Sequence, residues 1–249
     1  GLLTVFVGRA TRAVEFAEAH DKRYTAHLRL GTVTDTQDIT GTVLAQNEAN
    51  VTAEELRAVL SRFLGEQEQT PPMYSAIKVN GKKLYEIARA GGTAERKPRR
   101  IRIDALSLIG EDAGDWVLDV RCSKGTYIRA LCDDIGAALG CGGCMSALRR
   151  TAAGEFTVDA AHTLDEVIAA ANSGNVEELL IPVDTLFAAH PAWRADAAAE
   201  RRIRCGNEVK AAGLADGEYR VYSAETGEFL MLGRVQNGVM KTVKSFFEV

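Results

Sequence analysis

The chain has 249 residues, of which 46% are hydrophobic and 26% charged, and it carries a net charge of −4. A chain of this size and balance can bury a sizeable core as one large domain, or as one domain with a smaller companion. It contains no apolar run near the roughly 20 residues that cross a bilayer, and its acidic balance excludes a protein that holds polyanions with its whole surface.

"GLLTVFVG" begins on Gly1 without an initiator Met, a basic n-region or enough apolar residues for a secretory signal, so it reads as the interior of a longer protein. The segment 22–31, "KRYTAHLRLG", alternates as a half-buried strand, and 33–41, "VTDTQDITG", follows as a polar, turn-rich loop. "VTAEELRAVLSRFLG" carries a capping box, Thr52 with Glu55, ahead of a helix that Gly65 ends. "RRIRIDALSLIG" and "DWVLDVRCS" read as strands meeting across the "EDAGD" turn. Beyond them "IRALCDDIGAALG" repeats every three or four residues as an amphipathic helix. The junction Ser123-Lys124-Gly125-Thr126-Tyr127 therefore has a rigid element on each side, a setting in which a short loop presents functional side chains. "HTLDEVIAAAN" repeats the capping signature with Thr163 and Glu166. After about Phe187, three short strand patterns joined by Glu-Thr-Gly-Glu and Asn-Gly predict a separate small β domain.

Five cysteines, an odd number without an export signal, suit reduced thiols in a cytosol better than a disulfide framework, so a cytoplasmic location is expected. Cys141-Gly142-Gly143-Cys144 has the spacing of half a zinc site, but a structural zinc takes four ligands and no second pair exists. No metal is expected.

The charge is unevenly placed. Between Lys78 and Arg102 nine basic residues stand against Glu86 and Glu95, a local balance of +7 that leaves −11 for the rest of a chain totalling −4. Such a run is often only a solvated surface. Here Tyr74 and Tyr85 are interleaved with the cations, and Pro71-Pro72, Asn80-Gly81 and Gly91-Gly92 punctuate them. Cations beside aromatic faces are what a single-stranded or looped RNA requires. The stretch from about 71 to 99 is expected to be a mobile basic arm that closes over nucleic acid.

Four blocks, "DKRYTAHLRLGTVTDTQDITG", "PPMYSAIKVNGKKLYEIARAG", "CSKGTYIRALCDDIGAALGCGG" and "ALRRTAAGEF", together resemble, in order, the signature segments of the bacterial tRNA pseudouridine-55 synthases. The resemblance runs from Gly1 to about Asp184, and four ordered blocks are far more specific than one short motif. It implies an α+β fold with a mixed, largely antiparallel sheet flanked by helices over residues 1–187. Residues 188–249 are then a small C-terminal β domain like the RNA-binding domains of the PUA type. The implied activity is isomerisation of uridine-55 in the T-loop of tRNA, with the base flipped out of its stack, no cofactor, the T-arm of tRNA as partner, no membrane and a monomeric enzyme.

The resemblance also assigns side chains. Tyr24 falls on the tyrosine that stacks on the flipped base, and Tyr127 on a tyrosine beside the reacting ring, implicated in removing the C5 proton. A phenol with an ordinary pKa of about 10 is a poor base, so a direct role needs a relay or a depressed pKa. Arg129 falls on the arginine that pairs with the catalytic aspartate and keeps it ionised when water is excluded. Asp38 matches a second acidic position near the pocket, against the alternative of an ordinary turn aspartate. Leu148 matches an apolar contact to the base. Lys78, Lys82, Lys83, Arg89, Arg149 and Arg150 are expected to meet phosphates, with surface salt bridges as the alternative for the last two.

The nucleophile departs from the pattern. In the family it sits in Gly-x-Leu-Asp-Pro-x-Ala-x-Gly, and "GLLTVFVGRATR" matches from the last glycine of that motif onward, so the aspartate is expected a few residues before Gly1. Residues 1–249 alone are then expected to be inactive. The reading from another class is a non-catalytic RNA-binding or tRNA-folding module.

Overall fold

The computed structural model describes residues 1–248. The chain falls into two units: Gly1–Leu3 with His20–Ala161, and Thr4–Ala19 with the segment from His162 onward. The change of sequence texture falls after Phe187, whereas the division by contact falls after Ala161. The reason is the segment 162–187, whose Phe187 is buried in the same cluster as Phe246. The first regular helix, α1 (Val14–Glu18), belongs to the second unit.

The first unit is built on β1 (Lys22–Leu30), followed by the short pair β2 (Thr32–Thr34) and β3 (Val43–Gln46). Next come α2 (Ala53–Leu60) and β4 (Gly65–Gln69), then a hairpin of β5 (Lys78–Val79) and β6 (Lys82–Lys83) leading into α3 (Leu84–Arg89). Two long strands, β7 (Arg99–Asp112) and β8 (Asp115–Cys122), precede α4 (Ile128–Ala138), β9 (Gly143–Ala153) and β10 (Phe156–Thr157). Six of these strands form one antiparallel sheet in the order β10-β9-β1-β8-β7-β4.

One face of this sheet is packed. Ala26 and Leu28 of β1, Leu118 and Val120 of β8 and Ile101 and Ile103 of β7 meet Leu56 and Leu60 of α2 and Leu131 and Ile135 of α4. The alternation that predicts β1 from sequence is the alternation that places Ala26 and Leu28 inside. Thr52 caps α2 with the reciprocal Glu55 contact the sequence predicts. The helix, however, stops at Leu60, passes through a 3-10 turn, and Gly65 opens β4. Helix α4 lies unusually close to β9: Gly136 faces the backbone of Gly142 and Gly143, and an added Cβ would come within 2.6 Å of Gly143 Cα.

The second unit adds α5 (Leu164–Ser173), β11 (Ala192–Ala195), α6 (Ala197–Arg204), β12 (Val209–Lys210), β13 (Gly217–Ser223), β14 (Phe229–Gln236) and β15 (Val239–Ser245). Its sheet runs β11-β13-β14-β15-β12, with β11 parallel to β13 and the other pairs antiparallel. The expected Asn-Gly hairpin joins β14 to β15, with positive φ at Asn237 and Gly238 as that turn requires. Thr4–Ala19 is integral to this unit. Phe16 meets Phe187 edge to face at 5.1 Å, and Lys244 Nζ lies 2.7 Å from Glu15 Oε1. No helix among the described residues is long and apolar enough to cross a membrane.

Candidate active site

The strand-to-helix junction after β8 is held from three directions. Ser123 N–H donates to Arg102 O at 2.8 Å, Ser123 Oγ accepts from Arg102 N–H at 2.9 Å, and Thr126 Oγ1 donates to Ser123 O at 2.9 Å. Gly125 takes the left-handed conformation, φ +82°, that the turn needs and that glycine adopts without penalty. Tyr127 then occupies the position that caps α4, with extended backbone and no side-chain cap.

Tyr127 is fixed instead through its main chain. Its N–H donates to Gln69 Oε1 at 2.8 Å, and Gln69 Nε2 donates to its carbonyl at 3.0 Å. Gln69 is the last residue of β4 and only 5% exposed. The same carbonyl accepts the first helical bond, from Leu131 N–H, at 3.1 Å. In the first turn of the helix, Arg129 Nη2 donates to Tyr74 O at 2.7 Å, and Arg96 Nη1 donates to Pro71 O at 3.1 Å. The stretch from Gln69 to Tyr74 is thus tied at both ends to the first turn of α4.

Tyr24 lies beside this junction. It pairs with Val120 on one side and Arg150 on the other, and it packs partly against the core. Burial raises its pKa, as does the neighbouring Cys122 thiol, while Arg150 opposes the rise. The Cys122 thiol, itself pushed up to about 11 chiefly by burial, is hydrogen-bonded to Thr126 next to Tyr127. Arg150 also holds the start of the chain: its Nε donates to Leu2 O at 2.8 Å, and Leu2 N–H donates to Arg150 O at 2.8 Å. Tyr24, Arg150 and the Tyr127 turn are therefore neighbours.

Leu148 pairs with Ala26, so by the two-residue period of the strand it shares the face of Tyr24 and Arg150; it is 43% exposed. Arg149 pairs with Thr25 and faces the other way. There a hollow of about 620 Å³ is lined by Arg23, Thr25, His27 and Arg149 among others. The two adjacent arginines, expected together as phosphate contacts, are divided between the sheet's faces, with Arg150 turned to Leu2 and Tyr24.

Asp38 sits elsewhere on the ladder. Its backbone bridges to Met145, opposite Leu28, four strand positions and about 13 Å from Tyr24. Its Oδ1 accepts from Thr40 N–H at 3.0 Å and from Thr40 Oγ1 at 2.6 Å, the pattern of a turn aspartate. Nearby, Gln37 Nε2 donates to Asp133 Oδ2 at 2.7 Å. Asp134 is exposed as a residue, but neighbouring atoms thin the water around its carboxyl, and this partial desolvation, with Asp133, pushes it up to about 6.

In the basic arm, Asn80 and Gly81 both have positive φ and turn the β5–β6 hairpin. Lys78 and Lys83 are direct cross-strand partners, a like-charge pairing that costs stability unless an anion relieves it. Lys83 Nζ donates to Tyr85 Oη at 3.2 Å, and Lys83 and Arg89 lie 5.3 and 5.4 Å from the Tyr85 ring centroid. Lys78 and Lys82 are exposed. Of the thiols, Cys141 and Cys144 are buried and Cys205 is exposed.

The chain belongs to one class of enzyme. A profile of the N-terminal domain of TruB family pseudouridylate synthases matches residues 1–128, and one of the tRNA pseudouridylate synthase B C-terminal domain matches residues 129–188. The chain is 45% identical to tRNA pseudouridine synthase B of an Azoarcus species over 241 residues, covering 97% of this chain and 79% of that protein. It is 44% identical to that of Thiobacillus denitrificans over 238 residues, 96% of this chain and 79% of the relative. The chain belongs to the TruB family of pseudouridylate synthases. Among solved structures it is similar to a chain of an H/ACA RNP bound to a substrate RNA containing 2′-deoxyuridine (TM-score 0.68, 19% identity, 97% of this chain and 71% of that one). A chain of a Cbf5-Nop10-Gar1 complex is alike to a similar degree (TM-score 0.67, 21% identity, 98% and 70%). At such identities the likeness concerns the fold alone.

Proposed function

We propose that the protein isomerises uridine-55 in the T-loop of tRNA to pseudouridine, as a cytoplasmic monomer that needs no cofactor. The observation that carries this reading is the meeting of Tyr24, Arg150 and the Tyr127 turn at the root of a basic, aromatic-bearing arm. The relatives named tRNA pseudouridine synthase B, matched over nearly the whole chain, support tRNA as substrate.

In this reading the flipped uracil stacks on Tyr24, with Leu148 as apolar contact, recovering part of the few kcal/mol lost on unstacking. An aspartate carried ahead of Gly1 attacks the nucleotide at C1′ or at C6. The bond from C1′ to N1 breaks, the uracil turns, C5 bonds to C1′, the bond from the aspartate to the nucleotide breaks with its electron pair returning to the carboxylate, and the proton leaving C5 is balanced by one gained at N1. Tyr127 assists that proton loss. Arg129 spends one donor on Tyr74 O and retains others for the aspartate carboxylate. Lys78 and Lys82 meet phosphates, and the small β domain from residue 188 onward binds RNA.

The test is tritium release from tRNA transcripts labelled at uridine C5, using the natural full-length protein. One equivalent released from the normal transcript, and none when cytidine replaces uridine at position 55, is the expected result. Equal release from both transcripts would sink the site specificity. No release from either, with tRNA still bound, would favour the RNA-folding module. Residues 1–249 alone are expected to bind tRNA without turnover.

A further inference from the structure

Tyr127 breaks a local rule. The residue capping a helix N-terminus is preferentially Ser, Thr, Asp or Asn, whose short side chain satisfies an orphan N–H. A phenol cannot fold back to do so, and α4 has no side-chain cap. Departures of this kind concentrate at functional sites and need support from elsewhere. The support is Gln69, 58 residues earlier in the chain, whose amide meets both main-chain polar groups of Tyr127. The pairing fixes the amide's orientation, since an N–H requires Oε1 and a carbonyl requires Nε2.

We propose that Gln69 is a positioning residue: by gripping Tyr127 at N–H and carbonyl together it sets the direction in which the phenol leaves the backbone, and it registers the basic arm to the same turn. Both hydrogen bonds are part-buried and come from the buried amide of Gln69, so their loss would leave that amide short of partners. The registration follows from connectivity. Residues 69–74 join β4 to the arm, and their far end is held by Arg129 through Tyr74 O. The inference rests on the reading that Tyr127 works at the uracil, and Tyr127→Phe is therefore included as a control.

The experiment compares Gln69→Leu, Gln69→Glu and Tyr127→Phe in the natural full-length protein, by tritium release and by tRNA binding. Gln69→Leu is expected to lower kcat by about 100-fold, the scale of a misplacement of about 1 Å, while KM and the tRNA Kd stay within about threefold. Gln69→Glu keeps the acceptor for Tyr127 N–H but offers the carbonyl a donor only when protonated. Its kcat relative to wild type is expected to rise as pH falls from 8 to 5. Wild-type kcat in both Gln69 variants beside a dead Tyr127→Phe would overturn the inference and leave the functional reading intact. An active Tyr127→Phe would sink that reading instead. Failure of both Gln69 variants to fold, by circular dichroism, would show a general structural role and overturn the inference as well.

Discussion

In the proposed reading the Tyr127 side chain does the chemistry, while its main chain carries the fixation. Replacing it with Phe removes one oxygen and none of the contacts to Gln69 or Leu131. The variant is expected to bind tRNA as tightly as wild type with turnover lost; near-normal tritium release would remove the proposed role. A second expectation concerns Asp134, whose pKa rises from 3.8 in the unfolded chain to about 6 in the fold. The folded state then holds the proton more tightly, so the group's stabilising share is complete below about pH 4 and is lost as pH rises through 6. Asp134→Asn should therefore raise Tm at pH 7 and leave it unchanged at pH 4. A fully sheltered shift of this size would carry roughly 3 kcal/mol; the exposed position reduces it to about 1 kcal/mol. Tyr24, Tyr127 and Arg129 are proposed from the sequence because they lie in motifs. Gln69 is not, because its partner is set by the pairing of β4 with β7 and leaves no local period. The inward turn of Arg150 is equally hidden: "LRR" does not tell which arginine faces which side of the sheet.

Among the elements, the helices that announce themselves by capping boxes are found where expected, α2 after Thr52 and α5 after Thr163. Strand β9 is harder to see. Its pairing with β1 shifts register at Arg23/Tyr24 and at His27/Leu28, and each shift breaks the alternation that betrays a strand. The contact of α4 with β9 supplies a test that does not depend on RNA. Gly136→Ala drives a methyl into the backbone of Gly142 and Gly143, and chemical unfolding should show a loss of about 3 kcal/mol or more, the upper range for overpacking. An unchanged midpoint would mean that the helix stands further from the strand. The β5–β6 hairpin is a test of electrostatics. If Lys78 and Lys82 meet phosphates, replacing both with Ala should lower the slope of log K against log salt by roughly 1.4, at about 0.7 per single-strand contact. An unchanged slope would return them to the role of surface charges.

For the whole molecule, the second unit depends on residues from both ends of the sequence. Phe6 and Phe16 pack against the cluster of Phe187, Leu232 and Phe246, and Arg9 reaches Glu228 at 3.3 Å. A chain ending at Phe187 would keep those early aromatics and lose Phe229, Leu232 and Phe246 from around them. It is expected to aggregate or bind a hydrophobic dye, measured beside the full chain; a soluble, cooperatively unfolding 1–187 would contradict it. The strand content of this unit is legible after Phe187, whereas the membership of residues 4–19 is not. Their apolar residues fit any partner, and the aromatic partners of Phe16 lie from 171 positions (Phe187) to 230 positions (Phe246) away.

That distance has a consequence during synthesis. Phe16 leaves the ribosome about 230 residues before Phe246, its companion in the cluster. At roughly 5–20 residues per second, the early aromatics wait about 10–45 s for the strands that cover them. Over that interval, Phe6 and Phe16 are apolar surface without a home, and a chaperone that shields nascent chains would find purchase on them.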